Sequence, residues 1–139
     1  MTIFESFSPE DTYKFAFNMA SEAASGNIYL LYGNLGMGKT VFAKGFAAGL
    51  GISEHITSPT FAIVNVYEGE ISFCHFDLYR LEEADELYNI GYEDYIYGNG
   101  ISLIEWPERA EHMLPENATK ITISDDYEKG NCFRLITVE

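Results

Sequence analysis

Eight consecutive residues, Gly33-Asn34-Leu35-Gly36-Met37-Gly38-Lys39-Thr40, match the pattern G-x-x-x-x-G-K-[ST] in full. Each residue type there has chemical work to do. Glycines let the main chain curl so that its N–H groups face phosphate oxygens without a Cβ in the way. A helix that starts at the end of the loop adds the positive end of its dipole. The Lys39 ammonium would reach the β- and γ-phosphates, and the Thr40 hydroxyl would hold Mg²⁺. The competing reading is a chance glycine turn before an ordinary helix. At average composition the bare pattern arises by chance in a chain this long on the order of half a percent of the time. A dinucleotide-binding turn has different glycine spacing and no use for Lys39-Thr40.

A loop of this kind needs a carboxylate at the end of a neighbouring strand, placing Mg²⁺ directly or through water. Asp77 follows Phe73-Cys74-His75-Phe76, and Glu105 follows Ile101-Ser102-Leu103-Ile104. Either one alone reads as a solvated strand end; beside the glycine loop, at least one is expected to ligate the metal or a water. His75, two residues before Asp77, reads as a packed residue or one that supports a ligand. Trp106 reads either as a half-buried core aromatic or as a contact near the nucleotide.

The elements that must position these groups follow from pattern. Ser8-Pro9-Glu10-Asp11 is a helix start, with Ser8 as cap and Asp11 closing a box. Tyr13, Ala16, Phe17, Ala20 and Ala24 recur at helical spacing, and Gly26 marks the stop. Ile28–Tyr32 reads as a buried strand and Val41–Leu50 as a helix. Phe61–Tyr67 and Ile71–Phe76 read as an antiparallel hairpin around Glu68-Gly69-Glu70. Residues 82–97 are acidic and tyrosine-rich, with helical character broken at Gly91. Ile101–Glu105 is a further buried strand, stopped by Pro107. Lys120–Ile123 and Cys132–Val138 read as a second hairpin around Lys129-Gly130-Asn131. The order β-α-β-loop-α, then mostly β, predicts one α/β domain over residues 1–139: three layers of the P-loop NTPase type, its mixed sheet parallel at the core with antiparallel hairpins.

Composition narrows the function classes. The chain has 139 residues, 47% apolar, enough for one packed core. No apolar run approaches a membrane span, and Met1–Glu5 lacks the features of a signal peptide, so the expected location is the cytoplasm. Cys74 and Cys132 lie in apolar runs and are expected to be buried, reduced thiols. Eight basic residues face 22 acidic ones, a net charge of −14. Nucleic acid would repel such a chain, so tight direct binding of RNA or DNA is not expected.

Several segments together resemble one family. Gly33 to Thr40, Ser58-Pro59-Thr60-Phe61, His75-Phe76-Asp77-Leu78-Tyr79-Arg80-Leu81, Glu86-Leu87 with Gly91-Tyr92-Glu93-Asp94-Tyr95, and Ile104-Glu105-Trp106-Pro107 resemble TsaE (YjeE) in order and spacing. The likeness spans residues 5 to 138. It implies a Mg²⁺-dependent ATPase that is weak alone and works with a TsaD–TsaB complex. That complex installs threonylcarbamoyl on the adenosine beside the anticodon of tRNA, and hydrolysis would reset it between turnovers. Carried over by motif, the ATP site is Gly33, Asn34, Leu35, Gly36, Met37, Gly38, Lys39, Thr40 and Val41, with Thr60 sensing the γ-phosphate and Trp106 beside the nucleotide. Thr40, Asp77 and Glu105 would serve the metal, and Lys39, Asp77 and Glu105 catalysis. Arg80 reads as an internal charge partner or as a finger for transition-state charge. Two other readings stand beside this one: a small-molecule kinase, for which three arginines make a poor lid, and a nucleotide-dependent binding module that does not hydrolyse.

Overall fold

The computed structural model describes residues 1–59 and 62–139. In chain order the elements are β1 (Thr2–Ser6), α1 (Pro9–Ser21), β2 (Ile28–Tyr32), α2 (Lys39–Gly49), β3 (Val64–Tyr67), β4 (Phe73–Asp77), α3 (Glu86–Asn89), α4 (Tyr92–Ile96), β5 (Ile101–Glu105), β6 (Thr119–Ser124) and β7 (Arg134–Val138). Short 3-10 turns lie at Pro107–Arg109, Glu111–Met113 and Tyr127–Lys129.

One seven-stranded sheet runs β1-β7-β6-β2-β5-β4-β3. Its centre is parallel: β2 pairs with both β5 and β6, and β4 with β5. The margins are antiparallel, through β3–β4, β6–β7 and β1–β7. The central strands are apolar on both sides because both faces are covered. Tyr29 and Leu31 of β2 pack with α1 and α2, while Leu30 points to the opposite core beside Leu87, Tyr92 and Ile96. The three-layer α/β expectation holds.

The α1 start forms as its sequence specifies. Ser8 Oγ accepts from Asp11 N at 3.1 Å, and the Asp11 carboxylate accepts from Phe7 N at 3.0 Å. Its inward face differs from expectation: Thr12, Ala16 and Ala20 are buried, whereas Tyr13 and Phe17 stay about 40% exposed. The reason lies in α2. A Cβ at Gly45 would collide with the Tyr13 carbonyl oxygen, and one at Gly49 with that of Phe17. The two helices touch main chain to main chain, so the rings are left at the rim. The helix also stops at Ser21, short of Ala24, whose N–H goes instead to Asn27 Oδ1 at 2.9 Å.

Other boundaries shift modestly. α2 begins two residues earlier than its apolar pattern, taking Lys39 and Thr40 into the first turn. β3 begins at Val64; Ile63 before it adopts a left-handed φ of 66°, which ends extended pairing. Phe61, counted in that strand from sequence, lies outside the described residues. The last hairpin has a longer connection than its turn residues suggested. Cys132 falls in that connection and is exposed, which corrects the expectation of two buried thiols; Cys74, inside β4, is buried. Among the described residues no helix is long and apolar enough to cross a membrane.

Candidate phosphate and metal site

β2 ends at Tyr32, and residues 33–38 turn back into α2 at the carboxyl end of the parallel strands, where ligands of open α/β sheets bind. Gly36 and Gly38 have φ of 81° and 96°, a region that costs glycine little and other residues more. With Gly38 as its cap and no side chain capping it, α2 leaves its first N–H groups open toward the loop.

Strand alternation then decides which carboxylates arrive. Phe73, His75 and Asp77 share the α2 side of β4, and Ile101, Leu103 and Glu105 share it on β5. Asp77 and Glu105 are direct partners in the parallel register. The two candidate ligands therefore stand side by side. A single cavity is lined by Leu35, Gly36, Gly38, Lys39, Thr40, Val41, Asp77, Glu105 and Trp106. Gly33, Asn34 and Met37 do not line it: Gly33 sits under the loop, where a Cβ would come 3.1 Å from the Ile123 carbonyl oxygen, and Asn34 is exposed. Thr60 lies outside the described residues.

The charges in this cavity are held in unusual surroundings. Lys39 is only 6% exposed, and its Nζ has no hydrogen-bond acceptor among the described residues. Burial pulls its pKa below the usual lysine value, opposed by the nearby carboxylates Glu105 and Asp77. Its Nζ lies over the Trp106 ring, 3.7 Å from the centroid. Trp106 reaches that place through a left-handed backbone, φ 57° and ψ 47°, rare for so bulky a residue and costing on the order of 1–3 kcal/mol. The half-buried Trp106 thus serves the cavity as well as the core.

Asp77 has a pKa raised by burial; the N–H of Tyr79, donating to Oδ1 at 3.0 Å, offsets this in part, and Glu105 adds to it. Glu105 is buried and meets His75, with Nε2 to Oε2 at 2.6 Å. His75 packs against Phe73 with rings nearly parallel, which fixes its orientation. It holds Glu105, as a supporting residue would.

Pattern reading missed Arg134. From the start of β7 it donates Nε to the Met37 carbonyl at 3.1 Å and Nη2 to that of Gly36 at 3.2 Å. No local motif marks it, because its partner lies about a hundred residues away in the chain. Arg80 is exposed after β4 and lines a neighbouring hollow with Asp77 and Glu86.

A buried cation without an acceptor among the described residues, beside two carboxylates and a glycine loop at a helix start, can receive a phosphate chain with its divalent cation. Comparison with known proteins bears on whose site this is. The family model for threonylcarbamoyl adenosine biosynthesis protein TsaE matches residues 6–133. The chain belongs to the TsaE family. Among TsaE relatives, the tRNA threonylcarbamoyladenosine biosynthesis protein TsaE of Treponema pallidum is 41% identical over 84% of this chain and 86% of its own length. Its namesake from Bacillus subtilis is 41% identical over 83% of this chain and 72% of its own. The crystal structure of Bacillus subtilis YdiB superposes with a TM-score of 0.81 at 35% identity, covering 99% of this chain and 83% of that one.

Proposed function

We propose that this TsaE-family chain binds and hydrolyses ATP with Mg²⁺, in the service of threonylcarbamoyladenosine formation in tRNA. The observation that carries the ATP reading is the Lys39 ammonium, buried without an acceptor among the described residues at the mouth of the glycine loop. Leaving such a group unsatisfied is costly, and phosphate oxygens would supply what it lacks. The residues fit a metal as well. Among the described residues no group of three His, Cys, Asp or Glu could hold one unaided. Mg²⁺ beside nucleotide phosphates needs only one or two carboxylates, completed by phosphate and water.

In this reading Lys39 and the open N–H groups of the loop bind the β- and γ-phosphates. Thr40 and Asp77 would hold the metal, which would supply positive charge against the charge that builds on the phosphates. Glu105, held by His75, orients and deprotonates the attacking water. Trp106 closes one wall and excludes bulk water. Catalysis is mainly positioning and electrostatics, as phosphoryl transfer requires.

The pathway assignment rests on the names of the relatives, and the TsaD–TsaB complex is proposed as the partner that stimulates turnover. Phosphate release by the purified protein with Mg²⁺ and ATP tests the enzymatic reading. Glu105→Gln keeps an acceptor for His75 and removes the charge. It is expected to cut turnover about 100-fold or more, the usual scale of a lost general base, with nucleotide affinity within about threefold. Equal turnover by both proteins would remove Glu105 from the mechanism.

A further inference from the structure

Arg134 donates four hydrogen bonds, and all go to main-chain carbonyls: Met37 and Gly36 in the glycine loop, and Asn131 and Phe133 in the connection before β7. Among the described residues no carboxylate lies within ion-pair distance of it, although the chain carries 22. A guanidinium is a rigid planar fork, so it fixes the directions of the carbonyls it holds as well as their positions. All described peptide bonds are trans, which puts each N–H on the side opposite its carbonyl. With the Met37 carbonyl turned to Arg134, the Gly38 N–H of the same peptide turns away from it. The Gly36 carbonyl is fixed likewise, and the Met37 N–H behind it donates to Asn34 O at 3.3 Å within the loop.

We infer that Arg134 is the positioning residue of the phosphate loop: it grips the loop's outward carbonyls from β7, aims the Gly38 N–H at the phosphate chain, and leaves its own charge uncancelled behind that loop. The inference rests on the phosphate reading of the cavity and adds a residue to it. The uncancelled charge complements Lys39 in drawing an anion into a molecule of net charge −14.

The probe is inorganic pyrophosphate, which tests the phosphate cradle apart from any base or ribose contact, with ADP beside it. Titration calorimetry on the full chain compares wild type, Lys39→Ala, Arg134→Met and Arg134→Lys. Arg134→Lys keeps the charge but offers a point donor that cannot bridge two carbonyls in fixed directions. Both Arg134 variants are expected to lose about tenfold or more in pyrophosphate affinity, the scale of a lost charge-assisted contact, and ADP affinity should fall in parallel. In the ligand-free protein the Gly38 amide resonance should move in Arg134→Lys while amides of β2 and β5 stay in place, which a general loosening of the fold would not produce. If Arg134→Met does not fold, Arg134→Lys decides. Wild-type pyrophosphate affinity in either folded variant overturns the inference, as does a fall for ADP alone. Failure of wild type to bind pyrophosphate would overturn the phosphate reading itself, and is told apart because it appears before any Arg134 variant is compared.

Discussion

Asp77 carries a tension that a pH titration can read. Burial holds its pKa above the ordinary aspartate value, with the Tyr79 N–H and the charges of His75 and Lys39 pulling the other way. A carboxyl whose pKa is raised by folding binds its proton more tightly when folded. That contribution to stability is complete below the unfolded pKa and is lost as pH rises through the raised value. At neutral pH the ionised Asp77 is therefore a cost to the ligand-free fold. Asp77→Asn keeps an oxygen for the Tyr79 N–H and removes the charge. Without Mg²⁺ or nucleotide its melting temperature at pH 7 should exceed that of wild type, and the gap should close as pH falls toward the ordinary carboxylate range. A gap that stays constant with pH would show that the charge is not the cause. At this scale the sequence was largely legible. Lys39, Thr40, Asp77 and Glu105 stand in runs whose spacing reports chemistry, and they line one cavity. Arg134 was not legible, since its partners lie in a distant segment rather than among its neighbours in the chain; the left-handed turn at Trp106 carried no sequence signal that was read.

The elements show the same division between local and distant causes. The box at Ser8–Asp11 and the stop at Pro107 are local, and both form where the sequence puts them. The face of α1 that meets α2 is set by Gly45 and Gly49, which helical periodicity in α1 cannot reveal. Gly49→Ala tests this contact. The change favours an isolated helix by roughly 1 kcal/mol, but its methyl must displace the Phe17 carbonyl region, and overpacking of this kind costs about 1–3 kcal/mol. A net loss of stability of up to about 2 kcal/mol is expected in urea unfolding. A gain would mean that α1 can move aside freely. Glu86 offers a similar lesson. It reads as one more charge in an acidic stretch, yet its carboxylate accepts the N–H groups of Glu82 and Glu83 at 2.8 and 3.0 Å and caps the approach to α3.

Over the whole molecule, charge decides what can approach. Glu82, Glu83, Asp85, Glu93 and Asp94 are exposed, and Tyr88 and Tyr97 beside them are 57% and 61% exposed, while Tyr92 is buried. With a net charge of −14 the chain should retain tRNA negligibly by itself at physiological salt, because it has too few cations to displace the counterions of the phosphate backbone. A filter-binding titration with the isolated protein checks this, and saturable retention at about 150 mM salt, where the Debye length is about 8 Å, would contradict it. The seven-stranded sheet gathers the glycine loop, two strand-end carboxylates and Trp106 around one ammonium, which on the proposed reading awaits phosphate. Calorimetric titration of ATP with Mg²⁺ into wild type and Lys39→Ala, each with its thermal melt, tests it most directly. Wild type should bind one nucleotide per chain, and Lys39→Ala should fold yet bind about 10- to 150-fold more weakly, the value of a charge-assisted contact of roughly 1.5–3 kcal/mol. Equal affinity in the two proteins, or no binding by wild type, would contradict a phosphate-binding role for Lys39.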